Sequence, residues 1–286
     1  MARATEVSTL TAPNERNAPS CSYPVSLHRE QHGSGVPLLL AHGFAGSARN
    51  FLPQVRREPL NCRVHLYDAR GHARSEAPTS ANAYVWDCFI SDFDAIFHEA
   101  LGERPSAFAR KAIVGGLSFG AATALLWALK NQSLISGLVL AAYPESNDDM
   151  RSWSSRFADA IDEKGLDAAG DEFVWGPTGR FGGRDACAVR RGFLQHSPHA
   201  IAAILRHSMA VIPQIESLSE ALVQLRVATL VVVGSEDQRS LEASRKIVDM
   251  LPNATLAIID EASHVVNLSS PERFNQVLAN FVRNCS

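Results

Sequence analysis

An apolar run, Ala112-Ile113-Val114-Gly115, passes directly into Gly116-Leu117-Ser118-Phe119-Gly120 and then into the helix-like Ala121-Ala122-Thr123-Ala124-Leu125-Leu126-Trp127-Ala128-Leu129. The order is strand, sharp turn, helix, with a serine at the turn and a glycine two positions away on each side. A residue at such a corner adopts a sparsely populated backbone conformation, and a side chain at either glycine would collide with the adjoining strand or helix. The turn therefore needs both glycines, and it pushes Ser118 out where a substrate can reach it.

Similar short apolar runs recur along the chain: Val36 to Ala41, Arg63 to Tyr67, Gly137 to Ala141, Thr229 to Val233 and Thr255 to Ile259. Bounded by turn residues, they suit strands buried on both faces of a parallel sheet. Between them, Trp86, Phe89, Ile90, Phe93, Ile96, Phe97 and Leu101 fall mostly at three- and four-residue intervals, which is the packed face of a helix. Leu241 to Leu251 and Pro271 to Val282 read the same way, the latter with Ser270 as N-cap and Pro271 at the first helical position. The expected fold class is α/β, a doubly wound, mostly parallel sheet. The rhythm breaks over residues 145–222, where short helix-like pieces and the glycine-rich loops Gly176 to Gly179 and Phe181 to Gly183 replace strands. The expected organisation is a flexible N-terminal tail (1–22), a core (23–144 and 223–286) and a helical cap (145–222).

Composition removes several function classes. With 286 residues the chain buries roughly three quarters of its unfolded surface. A net charge of −3 supplies no basic field for a nucleic acid or an anionic membrane. No segment approaches the ~18–20 apolar residues of a membrane span, and Met1 to Ser20 lacks the apolar stretch of a secretory signal. The five cysteines are scattered, odd in number and without C-x-x-C spacing, so a reducing, cytoplasmic location is expected. His196, His199 and His207 cluster in the insertion without an accompanying carboxylate motif. They read as ordinary surface histidines of the cap, and neither metal nor cofactor is expected.

A serine hydroxyl becomes a nucleophile only when a base takes its proton and a third group orients that base. Asp237 follows the run Val231 to Val233, and His264 follows Thr255 to Ile259, so both belong to loops at the rim of the sheet that carries Ser118. Glu145, after the strand Gly137 to Ala141, is the alternative acid. The oxyanion of a tetrahedral intermediate needs backbone donors fixed in advance. Phe119 supplies one expected donor, and the loop Ala41 to Ser47 supplies the other, with Phe44 as the chosen residue.

His42-Gly43-Phe44, the stretch from Asp68 to Ser75, Gly116 to Gly120, Asp237 and His264, with Pro271 to Phe274, together resemble the α/β-hydrolase superfamily from about Val36 to the C-terminus. Within it the chain is similar to cap-bearing esterases, lactonases, perhydrolases and carbon–carbon bond hydrolases. The resemblance implies a triad of Ser118, Asp237 and His264, with the amides of Phe44 and Phe119 as oxyanion hole. Three departures are informative. Ala73 stands where the family usually has another glycine. Serine at 118 argues against the dehalogenases and epoxide hydrolases, which use aspartate there. Val265 follows the histidine where ring-cleavage hydrolases have tryptophan.

The expected activity is hydrolysis of a carboxylic ester or lactone through an acyl-enzyme. The alternatives are a carbon–carbon bond hydrolase of diketone or dienone substrates, a perhydrolase or haloperoxidase, and a non-catalytic ligand receptor. The expected partner is a small carbonyl substrate, with no nucleic acid and no membrane, and the protein a monomer or homodimer. Trp153, Phe157, Trp175 and Phe181 are expected chiefly as core of the insertion. Trp153, Trp175, Arg190 and Val265 are the candidate substrate contacts; Arg190 and Arg191 read first as a solvated pair, with a clamp on a substrate carboxylate as the alternative.

Overall fold

The structure, a computed structural model, describes residues 21–56, 60, 62–101, 111–176 and 186–285. Seven strands form one sheet: β1 (Arg29–Gly33), β2 (Val36–Ala41), β3 (Cys62–Tyr67), β4 (Ala112–Leu117), β5 (Ile135–Ala141), β6 (Ala228–Gly234) and β7 (Ala254–Ile259). The order is β1-β3-β2-β4-β5-β6-β7, with every pairing parallel except β1 against β3. The six apolar runs read from the sequence are the six parallel strands. Strand β1, Arg-Glu-Gln-His-Gly, carries no such run. It is held at the sheet edge by backbone pairing to β3, so its side chains leave no apolar signature.

The helices are α1 (Leu52–Arg56), α2 (Trp86–Leu101), α3 (Phe119–Asn131), α4 (Asp148–Gly170), α5 (Ala186–Phe193), α6 (Pro198–His207), α7 (Ser219–Leu222), α8 (Gln238–Met250), α9 (Val266–Ser269) and α10 (Pro271–Cys285). Leu38, Ile113, Val114, Leu138 and Val231 are inaccessible to solvent, each contributing about 1.5–3 kcal/mol of burial. Helices α2, α3 and α8 pack on one face of the sheet, where Phe89, Phe93, Trp127 and Ile247 share a core. Helices α1 and α10 flank the other, α10 through Phe274, Leu278 and Val282.

Between β5 and β6 the chain forms the helical insertion, α4 to α7. Its core is a stack of Phe157 on Phe173 and Phe193, with ring centroids 4.9 and 5.8 Å apart. Helix α4 is longer than the short pieces the sequence suggests, and it is broken inside at Gly165, whose φ is +79°.

The cysteine reading needs correction. Cys21, assigned to the tail, is disulfide-bonded to Cys88 of α2. A strongly reducing compartment works against such a bond. The pairing joins positions 67 residues apart, and no local spacing could reveal it. Residues 1–20 of the expected tail, and the loop residues 177–183 with Phe181, lie outside the described residues. Among the described residues no helix is long and apolar enough to cross a membrane.

Candidate active site

The chain runs from β2 outward to β3 and then returns to the far side of β2 as β4, so the direction of winding reverses between β2 and β4. In open α/β sheets the crevice beyond the carboxyl ends of the strands at such a reversal is where ligands bind. The loop after β2 carries Phe44, and the turn after β4 carries Ser118. Strand pairing sets Ala41 opposite Gly116, which brings these two connections side by side.

Ser118 has φ 53° and ψ −115°, a conformation that L-residues rarely adopt. A Cβ on Gly116 would lie 2.4 Å from the Gly120 carbonyl carbon, and one on Gly120 would lie 2.1 Å from the Ala41 carbonyl oxygen. The two glycines are therefore required by close approach of β2, β4 and α3. Gly43 packs on the same corner, since a Cβ there would fall 3.5 Å from the Ser118 Cβ. Phe119 heads α3, where the first amides have no intrahelical acceptor.

The Ser118 hydroxyl donates to His264 Nε2 at 3.0 Å, and His264 Nδ1 donates to Asp237 Oδ2 at 2.6 Å. With Ser118 donating to Nε2, the ring carries its proton on Nδ1. Asp237 is the N-cap of α8, where it also accepts from the Ser240 amide at 3.3 Å. Burial pushes its carboxyl up, but hydrogen bonds from His264 and Ser240 outweigh burial and hold it below the usual range. The Ser240 hydroxyl stands 3.3 Å from His264 Nδ1. This third neighbour was not read from the sequence, although the three-residue spacing after a capping aspartate was the available signal. Glu145 lines the same cavity, but its carboxylate accepts from Asn147.

A cavity of about 750 Å³ opens above Ser118. Phe44, Met150, Trp153, Phe193, Val265 and Leu268 give it apolar walls. Of the four candidate substrate contacts, Trp153 and Val265 line it and two do not. Trp175 packs edge-on against Phe193 inside the insertion and is buried, so its indole serves the insertion's core. Arg190 forms a two-pronged ion pair with the exposed Asp167, which takes its guanidinium to the outer surface. Arg191 is exposed and also outside the cavity lining. Among the described residues, no three His, Cys, Asp or Glu side chains are grouped to hold a metal ion. The expected surface position of His196 is also corrected, because only 6% of it is accessible.

The alpha/beta hydrolase family profile matches residues 38–277. The chain belongs to the alpha/beta hydrolase family. It is 26% identical over 266 residues to a Stutzerimonas stutzeri protein named as a carbamate hydrolase, RutD, covering 88% of this chain and 95% of that one. It is 22% identical over 272 residues to a proline iminopeptidase of Saccharolobus solfataricus, covering 87% and 86%. Among solved structures it superimposes on a thermophilic esterase of Thermogutta terrifontis with a TM-score of 0.76 and 25% identity, covering 91% and 94% of the two chains. As an alpha/beta hydrolase it is a hydrolytic enzyme with a seven-stranded, mostly parallel sheet and a helical insertion.

Proposed function

We infer that this alpha/beta hydrolase cleaves a carboxylic ester or lactone through a serine-bound acyl intermediate. The reading is carried by one observation, the chain of hydrogen bonds from Ser118 through His264 to Asp237 at the floor of an apolar cavity. Likeness to the Thermogutta terrifontis esterase supports the choice of ester.

His264 Nε2 takes the Ser118 proton as Oγ adds to the carbonyl carbon. The carbonyl oxygen becomes an oxyanion under the amides of Phe44 and Phe119. Asp237 orients the ring and stabilises its cation. As the tetrahedral intermediate collapses, His264 returns the proton to the leaving alkoxide and the acyl group stays on Ser118. Water, deprotonated by His264, repeats the addition and releases the acid. Trp153 and Val265 form walls against which the acyl or alcohol part packs. Every charge that develops is met by groups of this chain.

The relatives' names add a second class of carbonyl substrate, amides and carbamates, which the same residues would attack in the same way. Turnover of p-nitrophenyl butyrate, a γ-lactone, proline p-nitroanilide, a carbamate and a ring-cleavage dienone separates these readings. Ester or lactone turnover that disappears in Ser118→Ala is the expected result. Turnover confined to the anilide, the carbamate or the dienone overturns the assignment to esters and lactones.

A further inference from the structure

Three buried histidines, His42, His72 and His196, form a row beside the loop that carries Phe44. Their ring centroids are 4.9 Å apart between His42 and His72 and 5.2 Å apart between His72 and His196. The first two come from the sheet's own loops. His196 comes from the insertion, between α5 and α6.

Each ring spends both nitrogens on backbone. His42 Nδ1 donates to the Gly43 carbonyl at 2.8 Å, while its Nε2 accepts from the Ala69 amide at 2.9 Å. His72 Nε2 accepts from the Ala45 amide at 3.1 Å, while its Nδ1 donates to the Arg70 carbonyl at 3.0 Å. His196 Nε2 donates to the Ala45 carbonyl at 2.8 Å, while its Nδ1 accepts from the Ala73 amide at 2.8 Å. An amide N–H can donate only to an unprotonated nitrogen, so each ring is confined to one neutral tautomer.

The contacts on the Phe44 loop fall one to a peptide plane. His42 holds the carbonyl of the 43–44 peptide, His72 the N–H of the 44–45 peptide, and His196 the carbonyl of the 45–46 peptide. A peptide unit is planar and trans, and the structure contains no cis bond among the described residues. Fixing the Gly43 carbonyl therefore fixes the Phe44 N–H on the opposite side of the same plane. Ala45 has φ +54° and Ala73 φ +42°, both left-handed and neither a glycine. Such residues are strained and persist only where their surroundings over-determine them. His196 bridges the two strained alanines.

We propose that His196 is a positioning residue through which the helical insertion holds the loop that carries the Phe44 amide, so that stabilisation of the oxyanion depends on how the insertion is seated on the core. The proposal rests on the reading of Ser118 as nucleophile and Phe44 as oxyanion donor. Burial, the largest effect on the ring, keeps His196 neutral at pH 7, which its acceptor role toward Ala73 needs.

The test compares two variants that divide the ring's two bonds. In His196→Asn the short amide reaches the Ala73 N–H and not the Ala45 carbonyl. In His196→Gln the longer amide places its NH2 at the former Nε2 position. Loss of a direct oxyanion donor costs 10²–10³ in rate, and an indirect one is expected to cost about tenfold. With p-nitrophenyl butyrate, kcat of His196→Asn is expected to fall about tenfold with KM within about twofold of wild type, and His196→Gln to recover most of kcat. Equal kcat in the two variants, or a change confined to KM, overturns the proposal. The rate at which a fluorophosphonate labels Ser118 is measured in parallel. A wild type that is neither labelled nor active overturns the nucleophile reading itself, whereas a labelled wild type with an unaffected His196→Asn overturns only the positioning role. Nitrogen-15 NMR of the unmutated protein is a check that needs no variant. A neutral His196 ring protonated on Nε2 is expected, and a cationic or Nδ1-protonated ring overturns the proposal.

Discussion

Asp237 uses one carboxylate oxygen to cap α8 and the other to hold His264 Nδ1 at 2.6 Å. One side chain thereby joins the end of a helix to the base of the proposed triad, and the substitution that tests it must keep the first role while removing the second. Asparagine caps helices as well as aspartate does. Asp237→Asn is therefore expected to keep the cap of α8 and to lower kcat on an ester by at least about a thousandfold, through loss of the orienting charge. Glu145→Gln is expected to stay within about twofold of wild type, because Glu145 is engaged with Asn147 and not with His264. A larger loss in Glu145→Gln would move the acid to position 145.

Ser118 carries the strain of the corner at φ 53°. Ser118→Ala and Ser118→Gly should both abolish ester turnover. Glycine alone adopts that φ without cost, so Ser118→Gly is expected to be more stable than Ser118→Ala by about 1 kcal/mol. Paired urea titrations provide the comparison, and equal midpoints would contradict strain at this corner.

Burial is the largest influence on His196 and lowers it from its ordinary 6.5 to about 4, and burial likewise lowers His42 and His72. Between those values the unfolded chain binds protons that the folded rings refuse. Stability therefore rises with pH across the interval and falls on acidification, by on the order of 3 kcal/mol for His196 alone. The neighbouring charges are Asp68, which favours the cation of His42 and His196, and Arg74, which opposes that of His42. The lowered carboxyls of Asp68 and Asp237 add their own losses only as pH falls below about their ordinary 3.8. Urea midpoints measured from pH 7.5 to 4.5 are expected to change little above about 6.5 and to decline below it, with a shallower slope in His196→Gln. A flat wild-type profile would contradict neutral buried rings.

The Cys21–Cys88 disulfide closes a loop of 67 residues. A cross-link over that separation is worth about 4 kcal/mol through the entropy of the unfolded chain. Cys88→Ser is expected to lower the denaturation midpoint by a corresponding amount, and dithiothreitol should reproduce the shift in wild type and not in the variant. The disulfide lies away from the cavity lining, so kcat should be unchanged.

Trp153 and Trp175 should separate binding from stability. Trp153 lines the cavity, so Trp153→Ala is expected to change KM and acyl-chain preference. Trp175 is buried in the insertion, so Trp175→Ala is expected to cost about 3–5 kcal/mol. Thermal melts and ester kinetics on the two variants should give opposite patterns.

The inner parallel strands β2, β4, β5 and β6 were legible because each buries both faces, which forces an unbroken apolar run such as Leu38 to Ala41 or Leu230 to Val233. Strand β1 was not, because an edge strand made by backbone pairing asks little of its side chains. Ser118, Asp237 and His264 were legible because each follows a strand whose carboxyl end must face one rim. In the insertion the sequence could not choose between core, surface and cavity for Trp175 and Arg190, since helical spacing tells which residues share a face and not which object that face meets.

By itself, the sequence determined the α/β class, the corner at Ser118 and the order of the three polar residues, because close approach and two-sided burial leave few alternatives to glycine and to apolar strands. Only the tertiary structure decided that Asp237 rather than Glu145 meets His264, that Cys21 meets Cys88, and that His196 of the insertion reaches Ala45. Each of these is a contact between residues far apart in the chain, and its geometry exists only once the helices have packed against the sheet.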